Sequence, residues 1–191
     1  MLINKWIDLK EVFSTVKHEL YRGALDNKHP FRFVVLGTLS DVGPESRYVV
    51  LRMIDEQLNF FIYTDQRTEK VKSIELDPRV SLLFYSSQKR VQVRVNGTVV
   101  LHHKNDVVEK HWSRVHGLAQ KAYHSCLAPG TVIDQPEDAF SWSDQLEKPD
   151  YFSVIQVKPL VLEVLQLDGL EHLRAKFTFN DGDWDGSWLA P

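Results

Sequence analysis

Between Phe31 and Leu101 apolar side chains recur in short runs separated by polar breaks: Phe31–Leu39, Arg47–Ile54, Leu58–Tyr63, Val80–Tyr85 and Arg90–Leu101. Runs of this length, rich in Val, Phe, Leu and Tyr, predict strands. Asp41-Val-Gly-Pro44 and Asp55-Glu-Gln57 supply turn chemistry, so neighbouring strands are expected to be antiparallel. The last run is the most regular: Val91, Val93 and Val95 share one face, while Arg90, Gln92, Arg94 and Asn96 share the other. Helical spacing replaces alternation in three places. Leu9, Val12, Phe13, Val16 and Leu20 follow a capping pair, Asp8 and Glu11. Arg67–Leu76 carries Val71 and Ile74 and stops at Asp77-Pro78, where proline disfavours continuation. Asn105 to about His116 puts Val107, Val108, His111, Trp112 and Val115 near one face. Residues 127–149 lack a period and read as a long surface connection, after which strands are expected at Tyr151–Val157, Leu160–Leu167, Glu171–Phe179 and Trp184–Ala190.

Many short strands with few helices, and no regular alternation of the two, predict a mainly β protein: an antiparallel barrel with peripheral helices. At 191 residues the chain is expected to be one domain, 1–191, in which 1–29 form an N-terminal helix region. Lys and Arg number 23 against 26 Asp and Glu, a net charge of −3, so no global positive field draws the protein onto nucleic acid or lipid. Any anion must be held locally. The single cysteine, Cys126, excludes an intramolecular disulfide and a cysteine zinc cage. Charges at Lys5, Asp8, Lys10 and Glu11 interrupt the start of the chain, and no window approaches the ~20 apolar residues of a membrane span. A cytoplasmic protein without a membrane partner is expected.

Three segments offer chemistry. Arg47-Tyr-Val-Val-Leu-Arg52 is apolar in the middle and basic at both ends. Tyr63-Thr-Asp-Gln-Arg-Thr-Glu-Lys70 closes a strand and opens a helix, with Thr68 at the N-cap position and Arg67 and Lys70 beside it. Free N–H groups, a hydroxyl and two cations at a helix start suit a phosphate, although a capped surface helix has the same residues. Gln92 can present its amide to a heteroaromatic edge or simply to water. Asp181-Gly-Asp-Trp-Asp-Gly186 opens like a calcium loop, but the glutamate at its twelfth position would fall beyond Pro191, so it reads as a turn. The eight histidines form no H-E-x-x-H, so no metal is expected.

In this order the segments resemble the pyridoxamine 5'-phosphate oxidase-like family of FMN-binding split barrels. The likeness rests on Arg47-Tyr-Val-Val-Leu-Arg52, Phe61-Ile-Tyr-Thr-Asp65 with Lys70, Asp77-Pro-Arg-Val-Ser-Leu-Leu-Phe84, Val91-Gln-Val-Arg-Val-Asn-Gly97, and weakly Leu189-Ala-Pro191. It implies a homodimer with FMN in a cleft between subunits. Arg47 and Lys70, helped by Arg67 and Thr68, would hold the phosphate. Tyr48, Val49, Val50, Leu51 and Arg52, with Tyr63 and Thr64, would border ribityl and ring; Gln92 would meet the isoalloxazine edge, and Lys176 would stand near the flavin. Arg52, Arg114, His172 and Arg174 are the candidates for a substrate anion. No catalytic residue is assigned.

The departures bear on activity. Glu69 stands where the family has an arginine, and the family's flavin-side tryptophan would fall at Leu165 or Gln166. Arg-Leu-His becomes His172-Leu-Arg174, and the three residues that grip pyridoxal phosphate map to Lys110, Arg114 and Leu118, of which only the arginine is retained. The resemblance implies an FMN oxidoreductase moving a hydride between a small organic substrate and flavin N5, with pyridoxamine or pyridoxine phosphate as the named candidate. A non-catalytic FMN-binding or storage protein is the alternative. Binding of single-stranded nucleic acid through Arg90 and Arg94 is a third possibility that the net charge opposes.

Overall fold

The computed structural model describes residues 1–143, 147 and 150–191, so part of the expected connection 127–149 lies outside the described residues. The chain runs α1 (Leu9–Leu25), β1 (Phe33–Ser40), β2 (Gly43–Ile54), β3 (Phe60–Asp65), α2 (Glu69–Leu76), β4 (Arg79–Ser86) and β5 (Val91–His103). It continues with α3 (Asp106–Trp112), α4 (Leu118–Ala122), β6 (Phe152–Gln166), β7 (Leu173–Asn180) and β8 (Asp183–Leu189). Strands lie in the order β3-β2-β1-β4-β5-β6, and β6 returns to pair with β3, closing a six-stranded antiparallel barrel that β7 and β8 extend.

Alternation in β5 decides what faces inward. Val91, Val93 and Val95 are fully buried in the barrel with Leu36, Leu51, Phe60 and Phe84, while Gln92 and Arg94 lie on the outer face. α1 lays Val12, Val16 and Leu20 on this core, each burial stabilising by ~1.5–3 kcal/mol. The Asp8 carboxylate accepts from the Glu11 N–H at 2.8 Å, capping the helix. A second, smaller core joins Phe61, Val108, Val115, Phe152 and Val154, where α3 and its neighbours cover the outer face of β3 and the first half of β6.

Two expectations are corrected and one element is added. Phe31 and Arg32 belong to a 3-10 turn, Pro30–Arg32, because the His29 imidazole accepts from the Phe31 N–H and bends the chain before β1 starts. The two strands expected around Pro159 are one. β6 pairs with β3 through residues 152–157 and with β7 through 161–166, so the proline, which has no N–H to give, falls at the changeover. Opposite it, β5 shifts register between Asn96 and Gly97. Finally, residues 118–122 form a short helix that periodicity does not announce. The Asp181–Gly186 segment does contain a turn: Asp181 (φ 49°) and Gly182 (φ 95°) link β7 to β8.

Candidate functional site

β2 carries a cationic centre at each end. Near its start, Arg47 shares a face with its cross-strand partner Leu36, and its Nη1 donates to the Thr38 hydroxyl at 2.7 Å while Nη2 meets Glu45 at 2.6 Å. Lys70, in the first turn of α2, reaches Thr64 Oγ1 at 3.4 Å. Burial first, and then the Arg47 charge, hold the Lys70 ammonium below the usual lysine range. With Arg47 already paired to Glu45, the Lys70 ammonium at the helix start is the charge that favours an anion there. Thr68 is the N-cap of α2, but its hydroxyl donates to the Asp65 carbonyl at 2.8 Å instead of accepting from the helix.

Arg67 is directed elsewhere. Its fork clasps Asp65 (2.7 Å), donates to the Ser125 carbonyl (3.0 Å) and stacks on Tyr151 with the guanidinium carbon 3.6 Å from the ring centroid. Those contacts tie the segment after α4 to β3, so little of the guanidinium is left to meet a phosphate.

The other end of β2 presents Arg52 on the outer face. The guanidinium carbon of Arg52 lies 5.3 Å from the Tyr63 ring centroid, and its buried Nε has no hydrogen-bond partner among the described residues. Arg114 enters from the turn after α3. Together with Arg32, Tyr63, Val115 and His116 these residues line a pocket of about 310 Å³. Behind it, the Tyr63 hydroxyl lies 3.0 Å from His111 Nδ1, and the His111 ring is stacked on Phe61 at 4.9 Å. Burial, reinforced by Arg114 and Lys110, pushes His111 down to about 4, so the ring is neutral at physiological pH. Burial raises the Tyr63 phenol, which Arg114 and Arg52 partly oppose.

Between the two centres, Tyr48 and Val50 face outward with Arg52. Leu51 is fully buried and Val49 half-buried on the inner side. Thr64 is buried beside Lys70.

The remaining candidates lie three strands away. Gln92, Leu165 and Arg174 form one outward row across β5, β6 and β7, and Arg94, Glu163 and Lys176 form the next. Glu163 accepts from Arg94 (2.9 Å) and from Arg174 (Nε 3.1 Å), so Arg174 is already paired. His172 Nδ1 accepts from the Asp168 N–H at 3.0 Å in the β6–β7 turn. None of Gln92, His172, Arg174 or Lys176 lines the Arg52–Arg114 pocket. The row also separates Leu165 from Gln166: Leu165 faces outward beside Gln92, whereas Gln166 is buried and binds backbone. Arg32 and His111 were not legible as site residues. One read as part of a strand and the other as helix-face packing.

The fold is a closed six-stranded antiparallel barrel with a short helix inserted between β3 and β4. Residues 10–103 match the family model of the pyridoxamine 5'-phosphate oxidase FMN-binding domain. The chain is 28% identical over 187 residues to the pyridoxine/pyridoxamine 5'-phosphate oxidase of Ehrlichia chaffeensis, spanning 92% of each protein. Among solved structures it is similar to a pyridoxamine 5'-phosphate oxidase-related, FMN binding protein of Nostoc punctiforme, with a TM-score of 0.79, 22% identity and full coverage of both chains. It is also similar to PhzG of Burkholderia lata, solved with tetrahydrophenazine-1-carboxylic acid, with a TM-score of 0.72 at 18% identity over 96% of this chain and 90% of that one. The chain belongs to the pyridoxamine 5'-phosphate oxidase-like family of FMN-binding split barrels, and FMN is its cofactor.

Proposed function

We propose that the protein is a homodimeric FMN-dependent oxidoreductase acting on a small anionic substrate. One observation carries this reading: β2 holds two separate cationic centres, Arg47 with Lys70 and Arg52 with Arg114, five residues or roughly 17 Å apart along the strand. One centre, on the inner side of β2, suits the cofactor phosphate and the other, on its outer face, a substrate anion; Tyr48 and Val50 continue the outer face from Arg52 toward the first centre. Bound FMN supplies the hydride acceptor at N5. The chain's own groups bind and orient: Lys70 and Arg47 fix the phosphate, and Arg52 and Arg114 anchor the substrate.

The homodimer is supported by an apolar stretch on the outer face of β1, β2 and β4, where Phe33, Tyr48 and Tyr85 are 58%, 75% and 50% exposed. Large apolar side chains clustered on one sheet face mark an interaction surface. A dimer through this face accounts for the placement of Gln92, Lys176, His172 and Arg174 on the outer rows, from which they would complete the partner's flavin site. No helix among the described residues is long and apolar enough to cross a membrane.

Purified protein is expected to be yellow, to elute as a dimer, and to lose flavin absorbance under anaerobic mixing with pyridoxamine 5'-phosphate or pyridoxine 5'-phosphate. Flavin that is bound but bleached by neither compound rejects the vitamin B6 substrates. Flavin bleached by no organic anion of this size rejects the oxidoreductase reading and leaves a carrier.

A further inference from the structure

We propose that Arg32 is a specificity-determining residue of the Arg52–Arg114 pocket, a third guanidinium that commits the site to an organic dianion over a monoanion. The inference rests on reading this pocket as the substrate site. Arg32 closes the 3-10 turn that His29 caps, and its Nη1 donates to the Ala24 carbonyl in the last turn of α1 at 2.8 Å. That single bond aims the side chain and leaves most of its five N–H donors for the pocket.

Among the described residues no aspartate or glutamate lines the pocket beside Arg32, Arg52 and Arg114, so the three positive charges share it without a lining carboxylate. Burial, and then Arg52, pull the Arg32 guanidinium below its ordinary range, and all three arginines act on the Tyr63 hydroxyl. The buried Arg52 Nε adds a donor without a partner among the described residues. A monoanion leaves two of the three charges uncompensated in a partly dehydrated site, whereas a dianion leaves one. The third arginine therefore sharpens selection by charge more than it raises affinity in general. A phosphate monoester or a pair of neighbouring carboxylates satisfies the same three forks.

The test uses the FMN-loaded protein and three aromatic probes of similar shape at pH 7.5, titrated calorimetrically: phenyl phosphate and phthalate as dianions, benzenesulfonate as the monoanion. Wild type is expected to prefer at least one dianion over benzenesulfonate by tenfold or more. The better of the two dianions distinguishes a phosphate from a dicarboxylate substrate. Arg32→Gln, which keeps a donor for Ala24, is expected to weaken dianion binding about tenfold, to leave benzenesulfonate within about threefold, and to hold FMN as tightly as wild type. Arg32→Lys is expected to restore most of the preference. The proposal is overturned if wild type shows no dianion preference, or if Arg32→Gln retains FMN and discriminates as wild type does. Arg52→Gln separates the two readings: if it abolishes probe binding while Arg32→Gln does not, only the role of Arg32 fails. If neither variant changes binding, the pocket is not the substrate site.

Discussion

The Tyr63 hydroxyl and His111 Nδ1 lie 3.0 Å apart, joining the barrel wall to the helix that covers it at the back of the cationic pocket. His111 is 2% exposed and titrates at about 4 in the folded protein, against an ordinary value of 6.5. The unfolded chain protonates this ring below about pH 6.5, the folded chain only near pH 4. The neutral ring's contribution to stability is therefore complete above pH 6.5 and drains away as pH falls toward 4. His111→Phe keeps the stacking on Phe61 and removes the titration. Its Tm is expected to fall less steeply than that of wild type between pH 6.5 and 4.5, with a cost on the order of 1 kcal/mol at neutral pH from the lost hydrogen bond. Parallel pH profiles for the two proteins would rule this account out.

Burial first, and then the Arg47 charge, disfavour the charged Lys70 ammonium, and neither Asp65 nor the Glu45 carboxylate on Arg47 fully offsets them. Lys70→Met is expected to raise the Tm of FMN-free protein while weakening FMN binding roughly 10- to 100-fold, since charge-assisted hydrogen bonds contribute ~1.5–3 kcal/mol each. Differential scanning fluorimetry with and without FMN reads both effects. A variant that is destabilised in the FMN-free form would show that Lys70 serves packing and not the phosphate.

The barrel was largely legible because alternation is a local property. Val91, Val93 and Val95 in one strand, and the turn residues at Asp41–Pro44, needed no knowledge of the rest of the chain. The proximity of Arg47 and Lys70 was legible because a strand and the helix start that follows it announce themselves in sequence, and the fold brings the two within electrostatic reach. Arg32 was not, since its role depends on a side-chain cap, His29 on Phe31, that bends the chain just before the strand, and on a carbonyl eight residues earlier. Arg67 lies in the expected place, but its contacts with Tyr151 and Ser125, distant in sequence, were not legible from any local pattern. The seam at Pro159 depended on which strand lies on each side, which no local pattern encodes.

Leu165 and Gln166 are adjacent, yet they are predicted to fail in different assays. The Gln166 amide accepts from the N–H groups of Leu2 and Ile3 and donates to the carbonyls of Lys89 and Arg90, fastening the N-terminus to the β4–β5 turn. Gln166→Leu strands those backbone groups and is expected to cost about 3 kcal/mol in urea unfolding. Leu165→Ala, on the outward row beside Gln92, is expected to leave unfolding within ~1 kcal/mol and to shift the visible spectrum of bound flavin. An unchanged spectrum would place Leu165 outside the flavin environment.

Glu19 is 5% exposed and collects three partners: Arg22 at 3.1 Å, His29 Nε2 at 3.1 Å and the Lys89 ammonium. Because His29 Nδ1 accepts from the Phe31 N–H, its Nε2 carries the proton and donates to Glu19. Burial alone would raise this carboxyl, but Lys89 and His29 outweigh it and the net shift is downward. A carboxylate held below its ordinary value of 4.5 contributes stability that is present above that pH and lost as pH falls through the lowered value. This window lies at the acid end of the one in which His111 acts, so the two are separable. Glu19→Gln is expected to flatten the acid arm of the stability profile below pH 4.5, and Glu19→Ala to cost ~3–5 kcal/mol at pH 7 by leaving Lys89 and His29 without their partner. Since the same histidine shapes the turn that carries Arg32, Glu19→Ala protein that remains folded should also lose dianion preference, and a variant that retains it would uncouple the buried cluster from the pocket.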